Sequence, residues 1–253
     1  MITDGFERNS PVIIAPGAFR EKGEPLSDTA IATFSSELYE EALRRYPSET
    51  VGELRAANHC KPVHLLELHG RKVVFYLSEI ASALASTDII EVNWLTDARR
   101  FIVFGSCGSL MPQITTGRYI VPTAAYRDEG ISYHYAEPSD YIAVKNAAWM
   151  AEFFDKASLP YVQGRVWTTD AFYRETRKKV EDRKAEGCIA VEMELAGMQA
   201  VCDYHGWELY DFLAAGDTVD QPEYTPAGLS AANHSTDKLD IAVMIAQALT
   251  QQG

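Results

Sequence analysis

The sequence lacks the features that would place it in a membrane or in the secretory pathway. No apolar run approaches the ~18 residues of a membrane-spanning helix. The segment Met1–Arg8 lacks the basic and then apolar pattern of a signal peptide. We therefore expect a cytoplasmic protein with no membrane partner.

Patterns that form metal sites or disulfides are also missing. The four cysteines are widely separated and include no C-x-x-C pair, so we expect reduced thiols. His59, His64 and His69 recur every five residues, a spacing that does not gather ligands on one face of a helix or strand. We expect no metal ion.

The sequence contains fewer basic than acidic residues. The chain has 23 Lys and Arg residues against 36 Asp and Glu residues, which gives a formal net charge of -13. The basic residues form no dominant block, and this charge balance repels phosphate backbones. Nucleic acid polymers are therefore not expected as partners. The hydrophobic content of 47% is that of an ordinary globular protein.

The chain also shows no repeat of fixed period, and its 253 residues suit one α/β domain. Residues 1–28 contain Pro and Gly at short intervals and predict an irregular lead-in, followed by a single domain over 29–253. Strands are predicted at 29–34, 63–68, 72–77, 101–104, 119–122, 131–135, 161–168, 188–191 and 208–214. Helices are predicted at about 36–46, 81–95, 144–157, 178–183, 195–202 and 239–249. This alternation indicates a three-layer α/β/α sandwich on a mixed central sheet.

Three of the predicted strands end in polar or glycine-rich segments. The apolar run 101–104 is followed by Gly-Ser-Cys-Gly-Ser at 105–109, which predicts a loop that brings backbone close to a ligand. The strand at 188–191 leads into Glu192-Met193-Glu194, and the strand at 208–214 leads to Gly216-Asp217. Ligands of open α/β sheets bind at such carboxyl ends. If these strands are neighbours, the three segments share one cleft.

The carboxylates at 192–194 favour a sugar ligand. A carboxylate such as Glu194 can accept hydrogen bonds from two adjacent hydroxyls through its two oxygens, which points to a ribose. Alternatively, Glu194 is a solvated first-turn residue favoured by the helix dipole. Asp217 could protonate a purine at N7 if burial raises its pKa. Alternatively, it forms an Asx turn with Thr218.

Five motifs occur in the order seen in the nucleoside phosphorylase/uridine phosphorylase superfamily, which this chain resembles over residues 29–250. They are Phe101–Leu110, Tyr126–Tyr135, Thr169–Phe172, Val191–Glu194 and Gly216–Asp220. The resemblance implies a ribonucleoside substrate whose glycosidic bond is cleaved through an oxocarbenium-like sugar. It also implies a homo-oligomer, a dimer or hexamer, and no cofactor, with phosphate as co-substrate of a phosphorylase.

The resemblance also implies roles for individual residues. The segment Glu192-Met193-Glu194 would bind the ribose, and Ser106 would lie near the sugar and the nucleophile. Phe172 would lie against the base, unless it only packs in the core. Asp217 would act as the acid. Segment 127–135 is more similar to uridine phosphorylases, whereas 217–220 is more similar to purine phosphorylases and methylthioadenosine nucleosidases, and a buried Asp favours the purine.

The family's phosphate-binding arginines are missing from this sequence. The family's G-D-P-x-R loop follows the first strand, and here Phe34–Leu38 stands in its place without an arginine. Val103 occupies the position of the second family arginine. The third family arginine comes from a neighbouring subunit, and its position falls near His59. Arg20 or Arg127 could fold back to supply the lost charge. The sequence alone does not decide this.

The remaining candidates for the nucleophile site are Ser35, Ser36 and Ser106, with His59 from a neighbour. Glu37 would repel a phosphate dianion, but hydrolytic relatives place a glutamate near this position to activate water. It could equally be an ordinary first-turn helix residue. We therefore expect a nucleoside phosphorylase, with two alternatives: a nucleosidase that uses water, and a non-catalytic nucleoside-binding protein.

Overall fold

A mixed sheet of ten strands, flanked by eight helices, makes up the part of the chain that the structure describes. The structure is a computed structural model that describes residues 2–220, 224, 226 and 228–250. The strands are β1 (Thr29–Thr33), β2 (Ser48–Ala56), β3 (His59–Leu68), β4 (Arg71–Leu77), β5 (Arg100–Ser109), β6 (Tyr119–Asp128), β7 (Tyr141–Ala143), β8 (Tyr161–Thr169), β9 (Cys188–Glu192) and β10 (Glu208–Thr218). The helices are α1 (Ser36–Arg45), α2 (Ser82–Thr96), α3 (Pro112–Thr115), α4 (Ala147–Lys156), α5 (Arg177–Ala185), α6 (Leu195–His205), α7 (Leu229–Asn233) and α8 (Thr236–Thr250).

The sheet has an open wing and a closed ring that share β5. In the wing, β5 pairs in parallel with β1, which continues through β4 and β3 to β2. In the ring, β5 pairs in parallel with β10, and the pairing continues through β6, β8 and β9. Strand β9 then returns antiparallel to β5 at Gly108 and Ser109. The mixed sheet with flanking helices is the predicted fold class.

The first strand and helix form as the sequence predicts. Every residue of β1 is buried, and α1 begins at Ser36 after Ser35, whose hydroxyl accepts a hydrogen bond from the Leu38 amide at 3.2 Å. This side-chain cap satisfies an amide that has no partner within the helix. Arg44 and Arg45 lie in the last turn, where the helix dipole favours cations.

The predicted glycine-rich loop at 105–109 is wrong, because these residues continue β5. Strand β10 runs beside them in register up to the pair Ser109–Thr218, so their backbone groups pair within the sheet. Glycine suits position 108, since a Cβ there would lie 3.0 Å from side-chain carbons of Val191 and Val219, which would have to shift. The site is therefore built on strand backbone rather than on a flexible loop.

Two further differences from the sequence prediction have local causes. The predicted strand at 131–135 is a 3-10 turn at Ile131–His134, held by the Glu129 carboxylate, which accepts hydrogen bonds from the amide and hydroxyl of Ser132. Strand β2 was not predicted, because it lies at the edge of the sheet and most of its residues are exposed or half-buried. It therefore lacks a hydrophobic alternation.

The lead-in, over the described residues 2–28, contains two single-turn 3-10 helices, Ile2–Asp4 and Pro16–Ala18. Arg20 ties it to the domain by donating to the Glu53 carbonyl at 2.6 Å and pairing with Glu91 at 3.0 Å. Among the described helices, none combines the length and apolarity needed to cross a bilayer.

Candidate active site

A cavity of about 310 Å³ lies where β1, β5, β9 and β10 end. Its wall is completed by the 3-10 turn at Phe172–Arg174 and by the start of α7 and α8. The polar lining residues are Thr33, Ser35, Ser36, Ser106, Glu175, Glu192, Glu194, Asp217, Asn233, His234 and Lys238. The cavity therefore joins segments from the first, middle and last thirds of the chain.

The pairing of β5 with β10 brings Ser106 and Asp217 to the same cavity. Ser106 lies opposite Ala214, and Asp217 lies opposite Gly108 after a shift in register that leaves Gly216 unpaired. Both residues line the cavity, as the sequence predicted for the shared cleft. The Ser106 hydroxyl donates to the Asn233 side-chain oxygen, which links β5 to the end of α7.

Glu192 holds the turn between β9 and α6. One carboxylate oxygen accepts hydrogen bonds from the amides of Glu194 and Leu195, each at 2.7 Å, and the other accepts from the Thr168 hydroxyl. Burial raises its pKa, whereas these three donors act in the opposite direction. Both oxygens of Glu192 are thus engaged within the protein, and its direct contact with a ribose stays a prediction.

Glu194 lines the cavity, and its carboxylate is held by the backbone of Ala81, which has an unusual conformation. Its Oε1 accepts a hydrogen bond from the Ala81 amide at 2.8 Å, and Ala81 adopts a φ of 86°, which is rare for a residue with a side chain. The Ser82 hydroxyl donates to the Glu194 carbonyl oxygen at 3.1 Å. Burial, followed by the charge of Glu192, raises the pKa of Glu194. Strain of this kind persists where it holds a functional group.

A third carboxyl, Asp211 of β10, lies behind Glu194 beside a small internal cavity of about 10 Å³. Asp211 is buried, and its Oδ2 has no hydrogen-bond partner among the described residues. Burial, then the charges of Glu192 and Glu194, raises the pKa of Asp211 well above its usual value. A carboxyl that keeps its proton adds no negative charge to this end of the site.

Asp217 is one of two carboxyls at the other end of the cavity. Burial raises the pKa of Asp217, although a hydrogen bond from the Tyr224 phenol lowers it in part. Glu175 also lines this end, and burial followed by the charge of Asp217 raises the pKa of Glu175 to about 7. Sequence reasoning missed Glu175, because it lies in an irregular segment before α5 and belongs to no motif.

The walls between these ends are apolar. Phe172 lines the cavity and is 42% exposed, so it is not a core residue as the alternative interpretation held. It contacts Tyr173 edge to face, with ring centroids 5.0 Å apart. Ile80 and Met193 add further apolar surface. A flat heterocycle fits such a wall.

The part of the cavity beside Ser35 contains two basic residues that the sequence did not single out. His234 Nδ1 lies 2.8 Å from the Ser35 hydroxyl. Lys238 is 1% exposed, and its ammonium donates to the Asn233 carbonyl at 3.5 Å. Burial lowers the pKa of Lys238 to about 8. One feature of the sequence could have indicated Lys238. It lies four residues before Ala242, and so on the face of α8 that the apolar pattern predicts to be buried.

Four candidates from the sequence do not line the cavity. Glu37 is 69% exposed, 3.6 Å from His234 Nδ1, and His59 pairs with Glu79 at 3.0 Å on the β2–β3 side. Arg127 is buried against Ser132 and the Glu137 carbonyl. Arg20 is held by β2 and α2 as described above. The suggestion that either arginine folds back into the site is therefore wrong, and a role for His59 in a neighbouring subunit stays a prediction.

Comparison with known proteins places most of the chain in one family. The family model described as Phosphorylase superfamily matches residues 28–251. A DeoD-type purine nucleoside phosphorylase of Caldanaerobacter subterraneus is 27% identical over 132 residues, which cover 51% of this chain and 57% of that enzyme. The chain thus aligns with little more than half the length of this relative.

Two solved structures share the fold. A purine nucleoside phosphorylase from Toxoplasma gondii matches with a TM-score of 0.73 at 20% identity, over 92% of this chain and 94% of that one. The futalosine hydrolase of Helicobacter pylori matches with a TM-score of 0.70 at 15% identity, over 86% of this chain and 97% of that one. One neighbour is named a phosphorylase and the other a hydrolase, so the fold accommodates both.

Proposed function

This chain belongs to the phosphorylase superfamily, and we propose that it cleaves the N-glycosidic bond of a purine ribonucleoside with orthophosphate, giving free base and ribose 1-phosphate. This proposal rests on one observation: Ser106, Glu194 and Asp217 line the same cavity. These residues come from three different strand ends, and each offers a group that the reaction needs.

The ribose lies against Glu194 in this proposal. Its carboxylate is held by the Ala81 amide through Oε1, which leaves acceptor capacity for the 2′ and 3′ hydroxyls. Burial raises the pKa of Glu194, but hydroxyl donors and the positive charge that develops on the sugar favour its ionised form, in which these hydrogen bonds are stronger than neutral ones. As positive charge develops on the sugar ring, a nearby carboxylate also stabilises the transition state.

The purine lies between Phe172 and the two carboxyls Asp217 and Glu175. Asp217 donates its proton to N7 as the bond between C1′ and N9 breaks, and the bonding electrons leave with the base. An oxygen of the phosphate forms the new bond to C1′ on the opposite face. The raised pKa of Asp217 supports this role, because a carboxyl must hold a proton to act as the acid.

Hydrolysis is the second candidate, favoured by the absence of arginine from Phe34–Leu38 and from position 103. Against it, Glu37, the residue predicted to activate water, does not line the cavity. Phosphorolysis is therefore the first proposal. We also propose a cytoplasmic homo-oligomer, a dimer or hexamer, in which His59 could approach a neighbouring site.

Release of free base from adenosine, inosine, guanosine and uridine, with and without orthophosphate, tests the function. Cleavage that requires phosphate supports the phosphorylase, and cleavage in its absence supports the nucleosidase. Binding of a nucleoside without any cleavage would contradict both and leave a non-catalytic binding protein. Faster release from uridine than from the purines would contradict the purine assignment.

A further inference from the structure

Lys238 is a buried cation in the cavity without an acidic partner among the described residues. It is 1% exposed, and the groups that act on its charge are its burial and the Cys107 thiol rather than a carboxylate. An ammonium taken out of water without a counter-ion costs several kcal/mol in general. A lysine that served only for packing would extend its charged end to solvent. Lys238 instead stays buried while lining the cavity, with its ammonium 3.5 Å from the Asn233 carbonyl.

The groups around Lys238 are arranged to meet an anion. Asn233 accepts from Lys238 through its carbonyl and from Ser106 through its side chain, so the lysine and the serine hydroxyl lie at one end of the cavity. His234 and Ser35 border the same end. An ammonium and an imidazole can donate to a tetrahedral oxyanion, and a serine hydroxyl can join them by turning its O–H away from its present partner.

Basic and acidic side chains reach the cavity from different segments. Lys238 and His234 come from the C-terminal segment, where the exposed Glu37 carboxylate lies 3.6 Å from His234 Nδ1. Asp217 and Glu175 lie close enough for the charge of Asp217 to raise the pKa of Glu175. A ligand that carries negative charge on one side and a polar heterocycle on the other fits this division.

Resting on the proposed function, we propose that Lys238, with His234, is the cation of a phosphate-binding subsite that the C-terminal helices supply in place of arginine. The chemistry it recognises is a phosphate group. This group is either free orthophosphate, the attacking reagent, or the 5′-phosphate of a nucleotide substrate. Helices α7 and α8 would then be part of the catalytic apparatus rather than an outer layer of the fold.

Calorimetry of inorganic phosphate binding to the intact protein tests this subsite directly. We expect Lys238→Met to weaken phosphate binding by at least about 10-fold, since a hydrogen bond to a charged group is lost. Lys238→Arg should retain binding within a few-fold. The matched control is Lys145→Met, because Lys145 is 61% exposed, pairs with Asp203 at 2.8 Å and lies outside the cavity. If the methionine variant does not fold, Lys238→Gln replaces it.

Two activity assays separate the sources of the phosphate. Loss of phosphate-dependent base release from adenosine in the Lys238 variant assigns the subsite to orthophosphate. Loss of phosphate-dependent base release from adenosine 5′-monophosphate, with release from adenosine unchanged, assigns it to the nucleotide. Phosphate binding and both activities unchanged in a folded Lys238 variant would overturn the inference while leaving the proposed function intact. Phosphate binding that depends on Lys238, with no base release from any substrate, would overturn the function and leave the subsite.

Discussion

The hydroxyl of Ser35 lies 2.8 Å from Nδ1 of His234, although 199 residues separate them in the chain. The same hydroxyl caps α1 by accepting from the Leu38 amide. One oxygen therefore joins the first helix of the domain to the turn between α7 and α8, at the mouth of the cavity. This contact fixes the C-terminal segment relative to β1.

We expect Ser35→Ala to lower the free energy of unfolding by about 1 kcal/mol, the usual cost of removing a helix N-cap. Urea unfolding followed by circular dichroism measures it. Ser36→Ala is the control, because Ser36 lines the cavity but begins the helix rather than capping it. Equal stability of the two variants would contradict the assignment of the cap.

Replacing Asp217 with Asn should lower the turnover of purine nucleosides by ~100-fold or more, since an amide cannot supply the proton to the leaving base. Steady-state release of free base measures the effect. Asp220→Asn is the matched control: Asp220 pairs with Lys184 at 2.6 Å and does not line the cavity. Turnover within a few-fold of the wild type would show that Asp217 is not the acid.

For Glu194→Gln we expect kcat/KM to fall by about 10- to 150-fold, the range of ~1.5 to 3 kcal/mol for a hydrogen bond to a charged group. The loss should be smaller for 2′-deoxyadenosine than for adenosine, because the deoxynucleoside lacks one of the two hydroxyls. Kinetics of both substrates provide the comparison. An equal loss for the two would argue against a role for Glu194 at the 2′ position.

Glu175→Gln should make the protein more stable than the wild type at pH 8, with the difference vanishing near pH 4. The folded pKa of Glu175, about 7, lies above its unfolded value of 4.5, so the folded state binds more protons between these values. Its contribution to stability is thus present below pH 4.5 and lost as the pH rises through 7. Urea unfolding at several pH values tests this, with Glu181→Gln on α5 as control. A constant difference across the range would contradict the assigned shift.

The parts of the fold that sequence predicted well are those determined by local chemistry. The first strand, the helix that begins at Ser36 and the strand-to-helix turn at Glu192–Glu194 all depend on neighbours in the chain. The strand predicted at 131–135 failed for the same reason, because the Glu129 carboxylate binds Ser132 and favours a turn over the β pattern of the aromatic residues. Local capping therefore outweighed propensity.

Features that depend on tertiary placement could not be predicted from the sequence. Lys238 reaches the cavity because α8 packs against β1 and β5, and Glu175 reaches it because its irregular segment lies beside Asp217. Conversely, Glu37 lies in the first turn of α1 as predicted, yet its side chain is 69% exposed and does not line the cavity, although it lies 3.6 Å from His234 Nδ1. Neither spacing nor composition contains this information.

The ring formed by β5, β10, β6, β8 and β9 has a mechanical consequence for the site. A strand in a closed circuit is bonded on both sides, so Ser106 and Asp217 cannot move apart unless pairing is broken elsewhere around the circle. The spacing of these two side chains is thereby established before any ligand arrives. In the proposed reaction, a nucleoside would meet a scaffold that needs little rearrangement, and the binding energy would remain free to lower the barrier to bond breaking.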